Sequence, residues 1–389
     1  MPVTGTDPTY QHAVSAWAAH LLAGGTTSWA DWRRRATDAR ADVAVLEPLP
    51  DATHLELVRR VNLEAGPGAD LAGLADRILA TPAPGRGLLD VPLPWTGAPR
   101  RFGTPPIDPA LLPGEELVRL AVGVLAHLLP GVRPPAPDEP QRPWPAPWRR
   151  RFRLHGAPAT VAAVRRHLLA QGYVETDWRP THVVIGRPVE VMMAEHWGRV
   201  VRAGGVVKWS RLWRRAEASG RLPPQIDVAA TAARLRDRRR EPLHVVVARD
   251  AGDAAALAAG VLGARPPGVH GGPDVALSDL VRRLNRLAVL TQGPDQVRVL
   301  ARTLVSVLGA DLLSPGAPEP APPQASLPWA REVAAAGAAA LRQAGYAVHG
   351  DPGALAPNEH GLPGTVDRER TLALAVRACI RIHELERKS

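Results

Sequence analysis

"RFRLHGAPATVAAVRRHLLAQGY", residues 151–173, decides how the middle of this chain folds. A short apolar run ends at His155-Gly156, and apolar residues then recur at helical spacing from about Thr160. Gly156 permits a sharp turn, and Pro158 suits the first turn of a helix. The free N–H groups at such a helix start, with the positive end of its dipole, can hold an anion. Thr160 supplies the loop's hydroxyl, and Arg165 and Arg166 follow one turn further in. The loop has no Lys, however, and any strand-to-helix turn tolerates a Gly and a Pro. Taken alone, these residues favour an ordinary strand–turn–helix, with a phosphate loop as the other reading.

Similar apolar runs lie at His182–Ile185 and Leu243–Ala248. Helical patterns over Thr160–Ala170, Val189–Ala203 and Asp253–Leu262 lie between and after them. Short uninterrupted strands alternating with helices predict a parallel sheet covered on both faces. Residues 1–130 read differently, as a mostly helical module. "THLELVRRVNLEA" and "GEELVRLAVGVLAHLL" are amphipathic, and Ser28 is placed to cap "WADWRRRATDAR". A Pro-rich stretch, 131–148, predicts a semi-extended linker. Another, 314–328, predicts a loop, and a third, 81–114, carries Leu88, Leu89, Trp95 and Phe102 and predicts an ordered one. The expected fold is therefore α/β: a helical module, a linker, and an α/β domain over 149–389. That domain closes with two helices around "GYAVHGDPGAL".

Charge and composition narrow the partners. The 389 residues carry a formal net charge of +10, yet only Lys208 and Lys388 among the 48 basic residues are lysine. The arginines are spread along helices, which describes a solvated Arg-rich surface better than a nucleic-acid footprint. The alternative, nucleic-acid binding, would use Arg33–Arg40 or Arg234–Arg240. Cys379 is the single cysteine, so no internal disulfide can form. No run of residues reaches the length of a membrane span, and the N-terminus lacks a secretory pattern, so a cytoplasmic protein is expected. No metal site is expected from the His spacing. Glu195-His196 sits mid-helix, and His244 alternates with apolar residues on a strand.

One pattern recurs. "WAAHLLAGGTTSWADWRR" (17–34) and "WGRVVRAGGVVKWSRLWR" (197–214) share Trp, Gly-Gly and Trp at the same offsets. "ELVRRVN" (56–62) and "DLVRRLN" (279–285) form a second echo. The Trp-bearing hairpins Trp17/Trp29/Trp32 and Trp197/Trp209/Trp213 are candidates for packing the modules together or onto a protein partner, although most of these Trp are expected in the core.

The order of segments from 151 onward resembles the actinobacterial P-loop sulfotransferase family. "LHGAPATVA" (154–162) is similar to that family's donor loop, "LHxGxPKTGTT". "VVIGRPVEVMMA" (183–194) is similar to its 3′-phosphate segment, "vvRNPxDvavS". "LHVVVARDAGDAAALAAGVLGA" (243–264), "DVALSDLVRRLN" (274–285) and "LPWAREVAAAGAAALRQAGYAVHGDPGALAP" (327–357) resemble the segments that follow. The resemblance implies a sulfotransferase-like sheet; in the alternative, an active transferase with rebuilt contacts, 3′-phosphoadenosine 5′-phosphosulfate as cofactor would be held by His155, Gly156, Thr160, Arg165, Arg166 and Arg187. In an active transferase Glu175 or Asp177 would serve as base.

The departures fall on the chemistry. Ala159 stands at the loop Lys, Val161-Ala162-Ala163 replaces the Gly-Thr-Thr, Gly186 aligns with the phosphate-binding Arg, and Ala194 with the Ser. Each lost charge-assisted bond is worth about 1.5–3 kcal/mol. The expectation is a sulfotransferase-like protein with a degenerate donor site and a binding or assembly role.

Overall fold

A computed structural model describes residues 8–36, 51–82, 93–94, 106–133, 149–238, 242–268, 272–309, 319–358 and 366–388. Most of the predicted linker 131–148, Leu88, Leu89, Trp95 and Phe102, and parts of Arg33–Arg40 and Arg234–Arg240 lie outside these residues. In chain order, α1 (Pro8–Leu22), α2 (Trp29–Ala36), α3 (Ala52–Ala65), α4 (Ala72–Ala80) and α5 (Gly114–Leu128) come first. There follow β1 (Arg151–Gly156), α6 (Pro158–Ala170), β2 (Val174–Glu175), β3 (Thr181–Gly186), α7 (Val189–Arg202), α8 (Trp209–Ser219) and α9 (Val228–Arg238). Then come β4 (Leu243–Val247), α10 (Ala251–Val261), α11 (Val275–Ala288), α12 (Pro294–Val307), α13 (Leu327–Gln343), β5 (Ala347–Gly350) and α14 (Arg368–Lys388). None of the described helices is long and apolar enough to cross a membrane.

The chain groups into two compact units: 1–134 with 283–308 and 367–389, and 135–282 with 309–366. Grouping thus follows chain order only in part, because α12 and α14 belong with the first helices. In that first unit α14 packs along α5 and α3. On these helices Leu55, Val58, Leu117, Leu120, Leu372 and Ile382 are all 2% exposed or less. Cys379 is buried in α14, and burial pushes its thiol up to about 12, so it is not a reactive thiolate.

The second unit holds a five-stranded all-parallel sheet of order β2-β1-β3-β4-β5. The predicted strands are β1, β3 and β4. The sequence reading missed β2, two residues long, and β5, whose Ala347 and Gly350 are exposed. Both lie at sheet edges, where no run of buried apolar residues is needed. The order is one of the two common doubly wound arrangements, with its switch point between β1 and β3.

Gly156 is required by the sheet itself. Its φ is +102°, and a Cβ there would lie 2.0 Å from Ile185 O on the neighbouring strand. Ala157 N then donates to that same Ile185 O at 2.9 Å. The end of β5 repeats this geometry: Gly350 has φ +90°, and its Cβ would lie 2.0 Å from Val247 O. Both read His-Gly-x-Pro, and each His bonds a His on the adjacent strand: His155–His182 at 3.2 Å and His349–His244 at 3.1 Å.

The Trp echo is also a structural repeat. Trp17 Nε1 donates to Thr27 O at 3.0 Å, and Trp197 Nε1 to Val207 O at 2.8 Å. Trp17–Trp29 centroids are 5.2 Å apart, and Trp197–Trp209 5.4 Å. Gly24 and Gly204 turn with φ +86° and +94°, and the next glycine's N–H closes each turn on His20 O or Val200 O. Ser28 caps α2 as expected, its Oγ accepting from Asp31 N at 3.2 Å.

Candidate functional site

In doubly wound sheets ligands bind beyond the carboxyl ends of the strands, at the switch point. Here Gly156 and Gly186 end β1 and β3 side by side, in register with Ile185 and Val247. α6 starts above β1 and α7 above β3, and the two helices pack together. Small residues on both, such as Ala159 and Ala194, allow that approach.

The anion seat at the start of α6 is filled by the chain's own Glu195, one side chain down α7. Ala159 N donates to Glu195 Oε2 at 2.8 Å. Thr160 Oγ1 donates to Oε1 at 3.3 Å, and Arg187 Nη1 to the same oxygen at 3.0 Å. Glu195 is 2% exposed and Arg187 6%. Burial pushes the Glu195 carboxyl up, while the Arg187 guanidinium and the Ala159 N–H pull it back. Arg187 Nη2 also donates to Arg249 O at 3.2 Å. The result is a helix N-terminus, a hydroxyl and an arginine converging on a carboxylate, as they would on a bound anion.

The predicted site residues separate. Gly156, Thr160 and Arg187 gather at this end of the sheet. His155 stays on its strand, paired with His182. Arg165 turns to the opposite end, where its Nε bonds both Glu175 oxygens at 3.0 and 2.9 Å. Arg166 is exposed. The two base candidates sit at that far end as well: Glu175 is in register with Phe152, at the start of β1, and Asp177 pairs with Arg153 at 3.5 Å.

The aligned family positions do not fit a nucleotide phosphosulfate. Where the family has its phosphate-binding Arg, a Cβ on Gly186 would lie 3.1 Å from Leu355 Cδ2 and 3.2 Å from Val228 Cγ2. That position is packed with apolar atoms. Ala159 offers only its N–H, already bonded to Glu195. Of the hairpin Trp, Trp17, Trp29, Trp197, Trp209 and Trp213 are 3% exposed or less, and Trp32 is half-buried.

The sequence reading set Glu195 aside and missed Arg202. Glu195 was visible as a carboxylate inside "VMMAEHW", an apolar stretch in which a charge must find a partner. Arg202, on the same face two turns later, lines a cavity beside the seat. His196, next to Glu195 in the chain, is driven down to about 4 by burial, with Arg199 adding to the effect, and is neutral at pH 7. Among the described residues no group of three or more His, Cys, Asp or Glu could hold a metal ion.

Fold and site together define an α/β unit with a doubly wound parallel sheet whose anion seat holds an internal carboxylate. No protein-family model, no curated protein and no solved structure matches this chain.

Proposed function

We propose that the α/β unit is a sulfotransferase-like scaffold with a degenerate donor site, acting by binding or assembly and not by group transfer. The observation that carries this reading is the Glu195 carboxylate in the seat that a donor phosphate would need. Sulfuryl transfer requires positive charge on the donor's bridging oxygen and a base at the acceptor. The seat's three donors are taken up by Glu195, no lysine is at hand, and Glu175 and Asp177 lie at the wrong end of the sheet. A donor phosphate would have to displace Glu195 and leave a second negative charge beside itself.

Titration with adenosine 3′,5′-bisphosphate, followed by calorimetry, tests this reading. The expected result is no saturable binding in the micromolar range. Micromolar binding that Arg187→Ala abolishes would restore an active donor site.

A further inference from the structure

A cavity of about 250 Å³ opens beside the Glu195 seat, between the starts of α6 and α11 and one face of α7. Most of its wall is small and apolar, including Ala159, Ala163, Ala194, Ala251 and Leu277. Arg187, Glu195, Arg202 and Asp274 are its charged lining. Arg187 and Glu195 hold each other at 3.0 Å. Asp274 caps α11, accepting from Leu277 N at 3.1 Å.

Arg202 is different. It makes no hydrogen bond or ion pair with any described residue. Its Nη1 lies 3.3 Å from the point a Cβ on Gly198 would occupy, and Ser278 Oγ lies 3.2 Å from the same point. Gly198 therefore makes the room in which the guanidinium rests. Burial draws the Arg202 pKa down and the Glu195 charge opposes this, yet the residue remains solvent-exposed. A cation ringed by protein atoms but still wet is one that faces a concavity.

We propose that this cavity binds a small monocarboxylic acid with an apolar body, its carboxylate held by the Arg202 guanidinium. The planar fork of arginine matches a carboxylate with two parallel bonds. The alanines and Leu277 offer the apolar body its surface. The volume lies just below the usual range for small-molecule pockets, which sets the ligand at the size of benzoate or hexanoate. A phosphate or sulfate dianion fits less well, because Glu195 and Asp274 put two carboxylates in the same lining. The inference rests on Glu195 keeping its seat, as the proposed function holds.

The full chain is titrated with benzoate and hexanoate by calorimetry and ligand-observed NMR, with benzamide and hexanamide as uncharged controls. The acids are expected to bind at least about ten-fold more tightly than the amides. Arg202→Gln should erase that difference while keeping the native melting temperature, and Arg202→Lys should retain part of it. No binding of either acid at about 10 mM, or equal binding to the native chain and Arg202→Gln, overturns the proposal. Nucleotide binding lost in Arg187→Ala would instead overturn the degenerate-site reading, so the two failures are distinguishable.

Discussion

Of two buried glutamates on α7, one is in a direct ion pair, Glu195 with Arg187, and Glu190 has no cation within salt-bridge distance among the described residues. Glu195 meets Arg187, so removing either partner leaves an uncompensated buried charge; Arg187→Ala is expected to cost about 3–5 kcal/mol in urea unfolding. Glu190 is 1% exposed, and its Oε1 accepts from Asn358 N at 2.9 Å. Its Oε2 has no hydrogen-bond partner among the described residues. Burial raises it from 4.5 to about 7, with Asn358 N–H and the charge of Arg249 opposing, and that of Glu319 assisting. Between those values the unfolded chain releases a proton that the folded chain keeps, so stability falls as pH rises from about 4.5 to about 7. The full effect is roughly 3 kcal/mol and persists at higher pH. Glu190→Gln is neutral at every pH and should be the more stable protein at pH 8, with the advantage fading toward pH 4. Parallel urea midpoints for the two proteins across that range would contradict the assignment.

Among the elements, the strand exits and the Trp hairpins explain what the sequence could and could not reveal. The strand–turn–helix at 151–173 was legible because its period changes from strand to helix at a Gly-x-Pro. Its role was not, because the same glycine serves a phosphate loop and a crowded sheet. The exit of β5 separates these readings: His349-Gly350-Asp351-Pro352 makes the same close approach without any loop resembling a donor site. Gly156→Ala and Gly350→Ala should each destabilise by about 3 kcal/mol, since a Cβ meets a carbonyl at 2.0 Å and φ is positive. Native urea midpoints in both variants would refute this. The Trp echo matches in the two units at the first Trp's N–H bond, the Trp–Trp contact and the Gly-Gly turn. Trp17→Phe and Trp197→Phe remove equivalent N–H donors and should each lose about 1–3 kcal/mol. β2 and β5 were illegible because edge strands of two and four residues, with only Val174 among them buried, carry no buried apolar run.

Across the whole molecule, several arginines among the described residues are held in ion pairs along different helices. Arg59 and Arg60 converge on buried Glu56, Arg283 pairs with Glu115, Arg282 with Asp279, and Arg165 with Glu175. Such pairing dilutes the positive field that a nucleic-acid binder concentrates. A gel-shift assay with duplex DNA is expected to show no retardation at about 150 mM salt. A shift at that salt which weakens steeply as salt is raised would favour the nucleic-acid alternative, and no shift even at low salt would remove it. The α/β class and parallel sheet were legible in the pattern of apolar runs. The grouping of α12 and α14 with the first helices was not, since it depends on contacts between segments far apart in the chain.

The most direct test of the account is chemical rescue of the Glu195 seat. Glu195→Ala leaves Arg187, Thr160 and the α6 N-terminus facing an empty anion position. The account predicts a lower melting temperature for this variant, restored in part by millimolar formate or sulfate, with no such gain in the native protein. Native stability in Glu195→Ala, or the same anion-induced gain in both proteins, would contradict it.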